Sequence, residues 1–160
     1  MSLQAWRLVA AKWRDTAFDG EGARLAGGRW NARGTAVVYL AGSLSLAALE
    51  LLVHIDHQRA LQEHYAIPVS FDERLVLHVD RGDLPEDWVS PGAIPKTQAL
   101  GDAWIRSNAS VLLAVPSAVI PQELNYLFNP KHPQAGSLTI GEPQPYRYDP
   151  RLLKLRPAVT

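Results

Sequence analysis

"GARLAGGRWNARGTAVVYLAGSLSLAALELLVH", residues 22–54, changes character twice, and those two changes set the order of elements that the rest of the chain must accommodate. Its first thirteen residues hold four glycines and three arginines. Glycine weakens helix and strand alike, so residues 19–34 are expected to form an ordered loop. "TAVVYLA", residues 35–41, is a β-branched and aromatic run that reads as a short buried strand. Ser43 then offers an N-cap for a helix through about Gln58. The apolar residues of that helix cover nearly its full circumference, which predicts burial on all sides.

Outward from this stretch, "WRLVAAKW" (6–13) reads as a strand or short helix, and "RLVLHVD" (74–80) alternates as a strand does. "SPGAIP" (90–95) is a loop, and "KTQALGDAWIRSN" (96–108) carries a short helix with Leu100 and Trp104 one turn apart. "SVLLAVPSAVIP" (110–121) is a buried strand that Pro116 forces out of the sheet or to its edge. Short apolar pieces between Pro and Asn turns follow, as loop and terminal strands. The sum is an α+β chain with more strand than helix.

Length and composition agree with one domain over residues 1–160, at 47% hydrophobic and 20% charged. A net charge of zero gives no basic face for nucleic acid. The absence of cysteine removes disulfides, thiol nucleophiles and cysteine-bound zinc. "MSLQAWRLVAAKWRD" lacks the apolar core of a signal peptide, and no run approaches the roughly 20 apolar residues of a membrane span. The expected compartment is the cytoplasm, with no membrane attachment.

Several residues stand out chemically. Paired glycines let a backbone approach a ligand closely, and Arg29 beside them is a planar donor suited to phosphate or carboxylate, so Gly27, Gly28 and Arg29 suggest an anion site. The stretch matches neither a Walker loop nor the dinucleotide fingerprint, and a turn-rich loop with solvated arginines is the competing reading. Glu50 is the only charge between Ser43 and Ile55, placed by helical spacing among Leu46, Val53 and His54. It must point into the protein or a cleft, as a catalytic carboxylate or as a structural one paired with Arg or His54. Tyr39, taken alone, reads as a packed tyrosine with its hydroxyl bonded. Ser117 lacks the flanking glycines of a nucleophile elbow, which leaves a positioning hydroxyl or an ordinary turn serine. His54 and His57 stand at helical i,i+3 spacing without the Glu of a zinc helix, so no metal is expected.

Taken with "VPSAVIPQELNYLFNPKHP", residues 115–133, the opening stretch closely resembles the RES domain family, toxins of bacterial type II toxin–antitoxin pairs. The Gly-Gly-Arg-aromatic-Asn block, the Tyr strand, the Leu-Glu helix and the Pro-Ser strand occur in the family's order. The resemblance implies a single domain with the bacterial ADP-ribosyltransferase fold. It implies NAD as substrate rather than cofactor, with Glu50, Arg29, Tyr39 and Ser117 as the active residues and Gly27, Gly28 and Asn129 beside the ligand; Asn125 is the alternative to Asn129. Nicotinamide would be released by hydrolysis or phosphorolysis. The implied alternatives are transfer of ADP-ribose to a protein, or a catalytically silent module that binds an antitoxin or nucleotide. The implied partner is an antitoxin with an Xre-type helix-turn-helix domain, and the toxin is expected as a homodimer within that complex.

Overall fold

A computed structural model describes residues 1–154. In chain order the elements are β1 (Ser2–Ala10), a 3-10 turn (Ala11–Thr16), α1 (Glu21–Ala26), β2 (Val38–Ala41), α2 (Leu44–Leu52), α3 (His57–Leu61), β3 (His64–Asp72), β4 (Val76–His78), α4 (Ile94–Ser107), β5 (Leu112–Pro116), β6 (Leu124–Phe128), β7 (Thr139–Ile140), β8 (Gln144–Tyr146) and α5 (Pro150–Leu153). All strands join one eight-stranded sheet in the order β4-β5-β6-β2-β1-β3-β7, with β8 also paired to β3. Every pairing is antiparallel except β4 with β5.

Strand alternation divides the side chains between two faces. Val38, Leu40, Leu112, Ala114, Tyr126 and Phe128 lie on one, where they meet Ala5, Val69 and Phe71 from β1 and β3 in a single apolar cluster. Each fully buried aliphatic side chain there contributes about 1.5–3 kcal/mol. The opposite face carries Tyr39, Ala41, Leu113, Val115, Asn125 and Leu127 in register. Trp104 of α4 and Trp30 cover its Leu113–Leu127 part, while α2 packs against Ala41, Leu8 and Ala66. The line between these two covers is where functional side chains collect.

Several boundaries differ from those expected. The glycine-rich stretch contains a helix, α1, because its glycines sit at the ends: Gly20 enters it at φ +76°, Gly27 leaves it at φ +72°, and Gly22 faces open space. The Ser43 cap forms, accepting from the Leu46 N–H at 3.1 Å. The helix it starts ends at Leu52 rather than near Gln58, because Asp56 accepts from the Arg59 N–H at 2.7 Å and starts α3. Nor is α2 buried all round, since Leu49 and Val53 are 36% and 57% exposed. His54 and His57 consequently fall on either side of the break, both exposed, and lose their helical spacing. The helix expected from Lys96 begins at Ile94, since a proline in the first turn has no hydrogen bond to lose. β5 stops at Pro116 as anticipated, and strand slightly exceeds α-helix among the described residues.

His64 opens β3 with 1% of its surface exposed, its Nδ1 2.8 Å from the Gln62 carbonyl and its ring edge-on to Tyr148. Tyr148 in turn donates to the Ala48 carbonyl of α2 at 2.6 Å. Burial lowers the His64 pKa below its ordinary 6.5, against the raising effect of the Gln62 carbonyl. A base whose folded pKa is depressed contributes stability above its unfolded pKa and loses it as the pH falls. The wild-type melting temperature is therefore expected to fall between pH 7.5 and 5.5, and His64→Gln to flatten that fall. Parallel melting curves for the two proteins across this range would show that His64 does not set it.

Candidate active site

The Glu50 carboxylate is the centre of a small, fully specified network. Ser117 follows Pro116 at the end of β5, and the chain there turns so that the Val119 and Ile120 N–H groups both donate to its Oγ, at 3.1 and 3.0 Å. A hydroxyl has one proton and two acceptor positions. With both acceptor positions filled, Ser117 sends its proton to Glu50 Oε1, at 2.5 Å. The same oxygen accepts from Asn125 Nδ2 at 2.7 Å. Among the described residues no donor reaches Glu50 Oε2, so one oxygen is held and the other is presented. Ser117 itself is completely buried, with its oxygen holding two backbone N–H groups and its proton on the Glu50 carboxylate, an arrangement that suits a positioning hydroxyl better than a nucleophile.

Register fixes where this carboxylate lies relative to the glycine-rich loop. Ala41 pairs with Asn125 and Tyr39 with Leu127, so Tyr39 and Asn125 are diagonal neighbours on one face. Such neighbours lie about 7–8 Å apart. The Tyr39 hydroxyl donates to Asn31 Oδ1 at 2.6 Å and accepts from the Trp30 N–H at 3.1 Å. Asn31, wholly buried, spends its amide N–H groups on the Ala23, Ala32 and Thr35 carbonyls. Burial pushes the Tyr39 phenol pKa upward, so it keeps its proton at neutral pH.

The close approach that the glycines permit is made by the protein itself. A Cβ on Gly28 would stand 2.6 Å from the Tyr39 hydroxyl and 2.9 Å from Asn31 Oδ1. Both backbone N–H groups of the pair are spent inside the loop, Gly27 on the Ala23 carbonyl and Gly28 on that of Asn31. Helix α4 braces the loop from the other side. Gln98 donates to the Gly28 carbonyl, Thr97 to that of Arg29, and Asp102 accepts from the Ala32 N–H. Gly101 lets the Trp30 carbonyl in so close that a Cβ would overlap it, at 1.7 Å. From this clamped loop the half-buried Arg29 guanidinium donates to the Trp88 carbonyl at 3.0 Å, with further N–H donors remaining.

Of the residues singled out in the sequence, Glu50 and Ser117 are in direct contact, and Tyr39 touches the Gly28–Arg29 loop. Asn129 is not beside Glu50. It sits past the far end of β6, about 13 Å along the strand from Asn125, with its amide bonded to Asn108 and to the Lys131 N–H. Asn125 holds the place by Glu50. Sequence reasoning gave no separate role to Asn31 or to the bracing residues Thr97, Gln98 and Asp102. Of these only Asn31 had a signal, its place in the glycine–arginine block.

The RES domain profile matches residues 4–149. A protein called Toxin Res from Yersinia enterocolitica is 36% identical over 151 residues, covering 94% of this chain and 99% of its own. The Prs ADP-ribosylating toxin of Sphingobium sp. is 32% identical over 159 residues, covering 96% and 99%. Among solved structures, a chain of the Mycobacterium tuberculosis MbcT–MbcA toxin–antitoxin complex superposes with a TM-score of 0.74 at 20% identity, over 96% of this chain and 88% of that one, which shows a shared fold.

Because the clash at Gly28 is with the Tyr39 hydroxyl, the two positions should be coupled. Tyr39→Phe leaves Asn31 Oδ1 buried without its donor, at an expected cost of about 1–3 kcal/mol. Gly28→Ala should cost stability in the wild type and less in the Tyr39→Phe background, where the hydroxyl is gone. Thermal melting of the four proteins checks this, and additive losses would contradict it.

Proposed function

The chain belongs to the RES domain family, and from that premise we propose that it is the toxin of a toxin–antitoxin pair that cleaves the nicotinamide–ribose bond of NAD. The observation that carries the reading is the Glu50 carboxylate, held through Oε1 by Ser117 and Asn125 while Oε2 stays open. Loss of nicotinamide leaves a ribose with oxocarbenium character. A fixed carboxylate beside it stabilises the developing positive charge and orients the acceptor, without reorganising as the bond breaks. Tyr39, anchored through its hydroxyl, offers its ring face to nicotinamide about one residue pair away from Asn125. Arg29 takes the pyrophosphate with its remaining donors. Gly27 and Gly28 offer the ligand no hydrogen bonds, since their N–H groups are committed, and the close approach at Gly28 is taken up by Tyr39, so the pair serves to shape the loop that carries Arg29.

The acceptor is water or phosphate in this reading, with NAD as substrate and no cofactor or metal. Among the described residues no helix is long and apolar enough to cross a membrane. We place the protein in the cytoplasm, where NAD is available, bound to an Xre-type antitoxin as a toxin homodimer. The Sphingobium relative, an ADP-ribosylating toxin by name, favours one second reading, transfer of ADP-ribose to a protein side chain.

Nicotinamide release from NAD by the purified, antitoxin-free protein, followed by chromatography with and without phosphate, tests the proposal. Release in phosphate-free buffer identifies a glycohydrolase. A phosphate requirement with ADP-ribose 1″-phosphate as product identifies a phosphorylase. Glu50→Gln should lower the rate about 10²–10³-fold, and a wild-type rate in that variant would defeat the mechanism. If folded protein releases nothing in either buffer, the reading falls. Biotinylated NAD then separates the alternatives, a labelled protein marking a transferase and its absence a silent binding module.

A further inference from the structure

Asn125 Oδ1 is the one buried side-chain polar atom among the described residues with no hydrogen-bond partner. It belongs to the residue that grips Glu50 with its other end. Amide ends are readily interchanged in assignment, but here the network decides between them. The Val119 and Ile120 N–H groups fill both acceptor positions of Ser117, so Ser117 must donate to Glu50 Oε1. Oε1 is therefore an acceptor, and only the NH₂ end of Asn125 can face it at 2.7 Å. Turning the amide over would set two acceptor oxygens against each other. The oxygen is thereby committed to a buried position where the fold supplies no donor.

Asn125 also lies on the face of the sheet that carries Tyr39, at its diagonal position, with its amide N–H against the held oxygen of Glu50. A buried acceptor is costly to leave unmet, and its need is satisfied by a ligand that brings an O–H. We infer that Asn125 is a substrate-binding residue that reads a ribose hydroxyl: its amide N–H fixes Glu50, and its amide oxygen accepts from the 2′- or 3′-hydroxyl of the nicotinamide ribose. One side chain then ties sugar recognition to the direction of the carboxylate, and the site selects ribosides over deoxyribosides. This inference rests on the NAD reading above.

The test compares kcat/KM for NAD and for its analogues lacking the 2′- or the 3′-hydroxyl of the nicotinamide ribose, in wild type and in Asn125→Ala. Each rate is taken relative to the uncatalysed rate of the same compound, because a 2′-deoxy glycoside is intrinsically more labile. One of the two analogues is expected to lose on the order of 10-fold or more with wild type, and less than about 2-fold with Asn125→Ala. Should Asn125→Ala not fold, Asn125→Ser carries the same comparison. Equal discrimination by wild type and variant, or wild type treating all three compounds alike, overturns the assignment while leaving NAD as substrate. Failure of the folded wild type to bind or cleave NAD at all overturns the NAD reading, and this inference with it.

Discussion

A hydroxyl with an N–H group on each lone pair can send its proton only to a third partner, and in this chain the third partner is Glu50. That constraint begins in the backbone. Pro116 ends β5 beside Leu124, the Ser117 N–H bonds the Glu123 carbonyl, and the turn to Ile120 brings two more N–H groups onto the serine oxygen. The sheet then sets Asn125 opposite Val115 and Ala41, where its amide meets the same carboxylate oxygen. α2 reaches the site from the other direction, capped by Ser43 one residue after Gly42 leaves the sheet. Two donors from the β5–β6 hairpin thus converge on one oxygen of a carboxylate that α2 brings from a distant part of the chain, and in the proposed mechanism the other oxygen is what a substrate would meet.

The glycine-rich loop is rigid for a similar reason. Its backbone is bonded to α4 through Gln98, Thr97 and Asp102, and to β2 through Tyr39 and Asn31. Gly28 and Gly101 are glycine because Tyr39 on one side and Trp30 on the other already fill the space of a Cβ. The loop's own hydrogen bonds therefore fix the backbone that carries Arg29, the preorganisation that catalysis by fixed charge demands.

Glu50 was legible in the sequence because a lone charge inside an apolar helix has few places to go. Of the close approach expected at Gly27–Gly28, Gly28 alone shows one, made by the protein's own tyrosine, while Gly27 is called for by its φ of +72°. Where the sequence misled, local competition was the cause. Asp56 could not be told from an ordinary surface aspartate, yet its cap splits the long helix. The glycines of the loop looked disruptive as a set, but only their positions at the ends of α1 matter. Asn125 and Asn129 are alike in type and setting, and four residues of strand separate the one that reaches Glu50 from the one that braces Asn108. Pairing register distinguishes them, and one chain read alone does not contain it.

In the proposed mechanism Ser117 acts through the Glu50 carboxylate and not on the substrate. A double-mutant cycle on nicotinamide release, with Glu50→Gln, Ser117→Ala and the double variant assayed over long times to capture residual turnover, measures this directly. If the serine serves only to aim the carboxylate, Ser117→Ala slows the wild type markedly and changes the Glu50→Gln protein little. A full, multiplicative loss in the double variant would mean that Ser117 has a contact of its own with the reacting groups, contrary to the network described.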